Sequence, residues 1–165
     1  VNKQELIAYL NDERAKLEAV LAQVKPEQMT QPGVCGHWSV KDVVAHLAVW
    51  TAREVTVVFQ AERGQRISYG VPDDGANDWA NVNDKDYQQQ KNRPLERVLE
   101  DFRGSHKQLI KRLTAWQDEK ALFQAGKFAG STNSIADKMI GGVGEHDAEH
   151  REQITAWLAQ QASRN

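Results

Sequence analysis

The sequence predicts an all-α protein, a four-helix bundle with a long crossover connection between the second and third helices. Three observations carry this expectation. Apolar residues recur at helical spacing in four separate stretches, no stretch shows the alternation of a half-buried strand, and one polar connection rich in turn residues separates the second stretch from the third.

The first helix is read from Leu6, Ile7, Leu10, Leu17, Leu21 and Val24, with Asn2 placed to cap it and Pro26 to end it. Glu5, Asn11, Asp12, Arg14, Lys16 and Glu18 fill its other positions, the pattern of a helix with one solvated face. A short turn is expected at Pro26-Glu27-Gln28-Met29, and Gln31 to Gly36 reads as a loop. Ser39 stands three residues before Asp42, an acidic variant of the capping box, and opens a second helix through Val43, Val44, Leu47, Trp50, Val57, Val58 and Phe59. Periodicity then fails over residues 61–93, where Gly64, Gly70, Pro72 and Gly75 mark a connection holding one short helix near Asp84 to Gln90. Trp79 and Tyr87 argue that this connection packs over one end of the bundle, because large aromatics in a polar segment generally cover something apolar.

Pro94 suits the first turn of a third helix whose stripe is Leu95, Val98, Leu99, Phe102, Leu109, Leu113 and Trp116. A loop containing Gly126, Gly130, Ser131 and Asn133 leads to a fourth helix from about Ser134 to Gln161. Gly141, Gly142 and Gly144 are costly inside a helix, so they imply close helix approach, an access channel or a break in the helix.

At 165 residues with a formal charge of -2 the chain is expected to form a single domain over residues 1–165, without the basic footprint of a nucleic-acid binder. No run is long and apolar enough to span a bilayer, and the first residues are polar where a signal peptide is apolar, so a soluble, cytoplasmic protein is expected. Cys35 is the only cysteine, which rules out an internal disulfide. Lying between glycines, it is read as a loop residue and left out of the site.

The candidate site rests on histidines. His146 and His150 are four residues apart within the apolar stripe Met139, Val143, Ile154 and Trp157, so their rings lie about one turn apart on one face and can reach one ion. His46 flanks the buried stripe of the second helix, one helical step from Val43 and Trp50, and supplies a third imidazole. Catalytic zinc-type sites usually have three protein ligands and one open position. The alternative for each ring is a histidine hydrogen-bonded in the core. His106, without a spaced partner, is read as a core or outer-layer residue. Glu145, Asp147 and Glu149 fall on other helix faces and are read as mostly solvated, with Glu149 a candidate outer partner of His146. No catalytic acid or base is singled out.

The segments Trp38-Ser39-Val40-Lys41-Asp42-Val43-Val44-Ala45-His46-Leu47-Ala48-Val49-Trp50 and Glu145-His146-Asp147-Ala148-Glu149-His150-Arg151-Glu152-Gln153-Ile154 resemble the DinB/YfiT-like superfamily of bacterial four-helix bundle proteins. The resemblance implies a divalent metal, nickel or zinc, held by His46, His146 and His150. It also implies thiol-dependent transfer or isomerisation with a low-molecular-weight thiol as cosubstrate. The long central connection with Trp79 and Asn83 is similar to the ClbS/DfsB-like branch, related to colibactin self-resistance proteins, whereas the intact HxxxH is not.

Three neutral imidazoles leave the charge of a divalent ion uncompensated, which favours a bound thiolate or hydroxide. The reading is therefore a metal-dependent transferase or hydrolase acting on a small electrophile. A metal-free binding or self-resistance bundle, and a stress-related protein with a vestigial site, stand beside it. The expected partners are a small-molecule substrate, with no nucleic acid and no membrane, and Val49, Val55 and Val58 on the second helix leave room for a homodimer.

Overall fold

The computed structural model describes residues 1–71 and 78–163; Pro72 and Gly75, two markers of the long connection, lie outside the described residues. The helices are α1 (Lys3–Leu21), α2 (Val40–Glu62), α3 (Trp79–Gln90), α4 (Leu95–Ala115), α5 (Glu119–Phe123), α6 (Ile135–Met139) and α7 (His146–Ala162). A 3-10 turn occupies Pro26–Gln28 and a π turn, Ile140–Glu145, joins α6 to α7. The described residues form no strand beyond an isolated bridge between Cys35 and Trp38. None of their helices is long and apolar enough to cross a membrane.

Local chemistry sets the helix starts. Asn2 accepts from the Glu5 amide at 2.9 Å while the Glu5 carboxylate accepts from the Asn2 amide at 2.9 Å. Ser39 with Asp42, and Ser134 with Asp137, close the same reciprocal box at α2 and α6. α1 stops at Leu21, ahead of Pro26, yet Val24 stays in the core at 7% exposure. The connection carries a longer helix than its composition promised, because Asp78 caps α3 at the Asn81 amide.

Two apolar clusters fill the bundle. One gathers Leu6 and Leu10 of α1, Val57 and Val58 of α2, Leu109 and Leu113 of α4, and Ile135, Met139 and Val143. The other gathers Leu17 and Leu21, Val43 and Leu47, Val98 and Phe102, and Ile154 and Trp157. Reading each helix from one cluster to the other gives its direction: α2 and α4 run the same way, opposite to α1 and α7. Parallel neighbours cannot be joined by a tight turn, so the chain must travel back along the bundle between them. This is why residues 63–94 are a crossover, and α3 lies on it.

Between the clusters the interior is polar. Arg14, 5% exposed, donates from Nε to Asp147 Oδ2 at 2.7 Å and from Nη2 to Asp147 Oδ1 at 3.2 Å. It also donates to the Phe102 carbonyl at 2.9 Å and lies 3.9 Å over the Phe102 ring. Two readings of the sequence are corrected here. Arg14 does not sit on a wet face, and Asp147, 1% exposed, is not solvated. α7 packs against α1 on one side and α2 on the other, so its buried face is wider than the histidine stripe alone. Such a pair lends little net stability, but removing one partner strands a buried charge at a cost of about 3–5 kcal/mol.

The fourth expected helix is a helix interrupted by the π turn where the glycines lie. A side chain on Gly144 would strike the Tyr9 ring of α1, and one on Gly142 would strike the Glu54 carboxylate of α2, whereas Gly141 has only Glu145 Oε2 nearby, at 3.8 Å. The glycines thus split into two that permit close approach and one that does not. Gly144→Ala is expected to cost about 1–3 kcal/mol in chemical denaturation through overpacking. Gly141→Ala is expected to gain up to about 1 kcal/mol from reduced chain entropy.

Candidate metal centre

The glycine turn brings the start of α7 against the middle of α2. His46 is 7% and His150 6% exposed, with His146 half-buried between them. His46 Nε2 lies 2.9 Å from His146 Nε2, and His150 Nε2 lies 3.1 Å from the same atom. One nitrogen from each ring falls within 4.8 Å of the other two. The three histidines expected to converge do converge, although two of them lie a hundred positions from the third.

The protons decide what this arrangement can hold. His150 Nδ1 is 2.8 Å from Gln153 Oε1, an acceptor, so the ring proton sits on Nδ1 and Nε2 carries a lone pair. The Gly142 carbonyl accepts from His146, which likewise leaves the inward His146 nitrogen with a lone pair. Two lone pairs 3.1 Å apart repel unless something positive lies between them. Burial keeps protons away: His46 is lowered to about 2, chiefly by desolvation and then by its two neighbours. His146 is lowered to about 4, again mainly by desolvation, and His150 is lowered for the same reason. Neutral imidazoles presenting lone pairs to one point are a fitting donor set for a divalent cation. The 2.9 and 3.1 Å separations are near the ~3.3 Å edge of a tetrahedron drawn with ~2.0 Å metal–nitrogen bonds. His46 has no outer partner: its Nδ1 is buried and meets no acceptor among the described residues.

Aromatic rings wall the centre. Trp38 lies 5.1 Å and Trp50 6.3 Å from the His46 ring, centroid to centroid. Trp38 is aimed by the loop before α2, where Gly33 and Val34 both donate to its carbonyl. α3 closes over this side. Trp50 Nε1 donates to Asn83 at 3.0 Å, Arg53 grips Asp86 with bonds of 2.6 and 2.9 Å, and Tyr87 stacks on Trp38 at 5.9 Å. A small cleft lined by Trp38, Asp42, His46, Asn83, Asp86 and Tyr87 remains between α2 and α3.

The other candidates fall elsewhere. His106 is half-buried between α4 and α1, its Nε2 3.0 Å from Asn11 Oδ1, and does not join the centre. Cys35 is half-buried in the loop that presents Trp38. Glu149 is exposed, and the outer partner of His150 is Gln153 instead, visible in retrospect as a polar residue three positions on along the helix. Glu54 was not singled out either. It follows His46 and Trp50 at four-residue steps on α2, is 2% exposed, and accepts from Tyr69. Val58 belongs wholly to the core, which weakens the apolar face offered for a homodimer.

A family model described as the mycothiol maleylpyruvate isomerase N-terminal domain matches residues 10–140, which include His46 and end before His146. No curated protein matches the chain. Among solved structures, the colibactin self-resistance protein ClbS in complex with dsDNA superposes with a TM-score of 0.80 at 17% identity, covering 94% of each chain. An uncharacterised protein from Escherichia coli UTI89 gives a TM-score of 0.84 at 16% identity over 98% of this chain and 95% of that one. The sibling lethal factor precursor DfsB gives 0.82 at 14% identity over 98% and 97%. At such identities the likeness shows the fold. It also corrects the exclusion of nucleic acid: a protein of this fold has been solved with dsDNA, and a net charge near zero summed over a chain does not report the local charge of one face.

Gln153→Leu is expected to weaken binding of an added divalent cation by about 10–100-fold, read by metal titration, because His150 loses the acceptor that orients it. The depressed imidazoles also set the response of the metal-free protein to acid. His46, His146 and His106 are lowered to about 2, 4 and 4 against an ordinary 6.5, so below that value the unfolded chain takes up protons that the folded chain refuses. Stability should therefore fall as pH drops from about 6.5 toward about 4, and His106→Gln should make the denaturation midpoint less sensitive to acid over that window.

Proposed function

The chain belongs to the family of mycothiol maleylpyruvate isomerase N-terminal domains within the DinB-like superfamily, and on that premise we propose that it binds a divalent cation through His46, His146 and His150 and uses it to act on a small electrophile. The observation that carries the reading is the convergence of one ring nitrogen each from His46, His146 and His150, within 4.8 Å of one another. Nickel and zinc are the ions the superfamily resemblance favours, and three imidazoles suit either.

A divalent ion held there would lower the pKa of a bound thiol or water and so supply a nucleophile at neutral pH. The protein's part is to keep all three rings neutral by burial and to fix the His150 tautomer through Gln153. Trp38 and Trp50 exclude water from one side of His46. The cleft under α3 measures only about 10 Å³, the room of a single water, so a substrate would reach His46 from this side only with α3, held by the Arg53–Asp86 pair, displaced. The reaction is thiol transfer or hydrolysis, with a low-molecular-weight thiol as cosubstrate in the first case.

The competing reading is a metal-free ligand-binding bundle, supported by the folds of ClbS and DfsB and by the Asn83 contact to Trp50. One experiment separates the two. Protein purified without a histidine tag should hold about one divalent ion per chain by elemental analysis, and His46→Ala, His146→Ala and His150→Ala should each lose most of it. Negligible metal in the unmodified protein and in all three variants would defeat the metal reading. A thiol assay with 1-chloro-2,4-dinitrobenzene, with and without added nickel or zinc, then reports whether the ion supports transfer.

A further inference from the structure

The side chain left unexplained by the centre as described is Glu54. It stands two turns along α2 from His46, about 12 Å along the axis, and its carboxyl reaches Gly142 on the turn that leads into His146. It is 2% exposed, and its Oε2 has no hydrogen-bond partner among the described residues. The other carboxylate oxygen occupies the space that a side chain at Gly142 would fill, and the Gly142 carbonyl in turn accepts from His146.

The titratable and charged groups around it are few. Tyr69, on the segment after α2, donates to it, and Lys138 of α6 reaches the Tyr69 hydroxyl at 3.3 Å. Tyr9 of α1 faces Gly144, and Arg53, next in the chain, is held by Asp86. Beyond Gly142 the chain continues to His146, four residues on. Burial raises Glu54 to about 7, against which the Tyr69 bond and Lys138 act only in part. A buried carboxyl without an ion-pair partner is a costly thing for a fold to keep, and three neutral ligands around a divalent ion leave a buried double positive charge without an anion.

We propose that Glu54 is the proton-exchanging carboxyl of the His46, His146 and His150 centre, protonated when no divalent cation is held there and ionised when one is. The inference rests on the metal reading above. Loading the centre then breaks the Glu54 O–H bond, releases the proton to solvent and leaves a carboxylate whose charge offsets half that of the ion. The difference in proton count on metal binding between the unmodified protein and Glu54→Gln reads Glu54.

The test is calorimetric titration of the full chain with Co2+ at pH about 6.5, in two buffers of different ionisation enthalpy. The unmodified protein should release most of one proton per ion, and Glu54→Gln, which keeps the shape, should release about that much less. Above pH about 8 the Gln variant should bind Co2+ at least about 10-fold more weakly. Infrared difference spectra of the unmodified protein, with and without Co2+, should show loss of a protonated carboxyl band, a readout that needs no variant to fold. Equal proton counts in the two proteins, or an unchanged carboxyl band, would overturn the role of Glu54 while leaving metal binding intact. No Co2+ binding at all would overturn both.

Discussion

Two close helix contacts of the bundle are made where side chains are missing. Gly144 lets the Tyr9 ring of α1 lie against the π turn, and Gly142 lets the Glu54 carboxylate of α2 do the same from the other side. Everything at the centre follows from that depth of contact, because His146 and His150 begin where the turn ends and meet His46 only if α7 is drawn close to α2. A helix of ordinary residues at these positions would hold the helices apart by at least the width of a methyl group, more than a coordination site tolerates.

The polar layer between the two apolar clusters has a related cause. Arg14 and Asp147 sit where α1 passes α7, and the pair is satisfied on all sides by the Phe102 carbonyl, the Phe102 ring and the Thr51 hydroxyl. Its energetic contribution is small, but it ties the residue next to His146 to three other helices and limits how α7 can rotate. On the opposite side α3 is secured to α2 by Arg53, Trp50 and their partners, so the rings are held from within by a buried ion pair and covered from without by a crossover helix.

The relation to proteins of the same fold is one of scaffold. ClbS and DfsB align over nearly the whole chain at identities of 17% and 14%, which fixes the path of the backbone and leaves the chemistry of the interior to the residues this chain carries. The nucleic acid seen with ClbS shows how much a composition argument can miss: a formal charge of -2 describes a sum, whereas a binding face is a local arrangement of charges.

The four long helical stretches, the caps at Asn2 and Ser39 and the spacing of the HxxxH pair are local facts, and the sequence by itself determined them. Asn2, Ser39 and Ser134 cap because an oxygen two or three residues before a free amide needs nothing else nearby, and helical spacing places His146 and His150 together whatever packs against them. The crossover too was legible, as a break in periodicity over residues 61–93. What only the tertiary structure decided is which polar residues turn inward. Asp147 and Arg14 looked solvated because a single helix shows its own apolar stripe but not how many neighbours it will have, and α7 has two. Glu54 was invisible for the same reason: a glutamate at a helical step from a tryptophan is ordinary until a glycine on another helix makes room for it. Burial belongs to the pair of surfaces in contact, and a sequence describes one surface at a time.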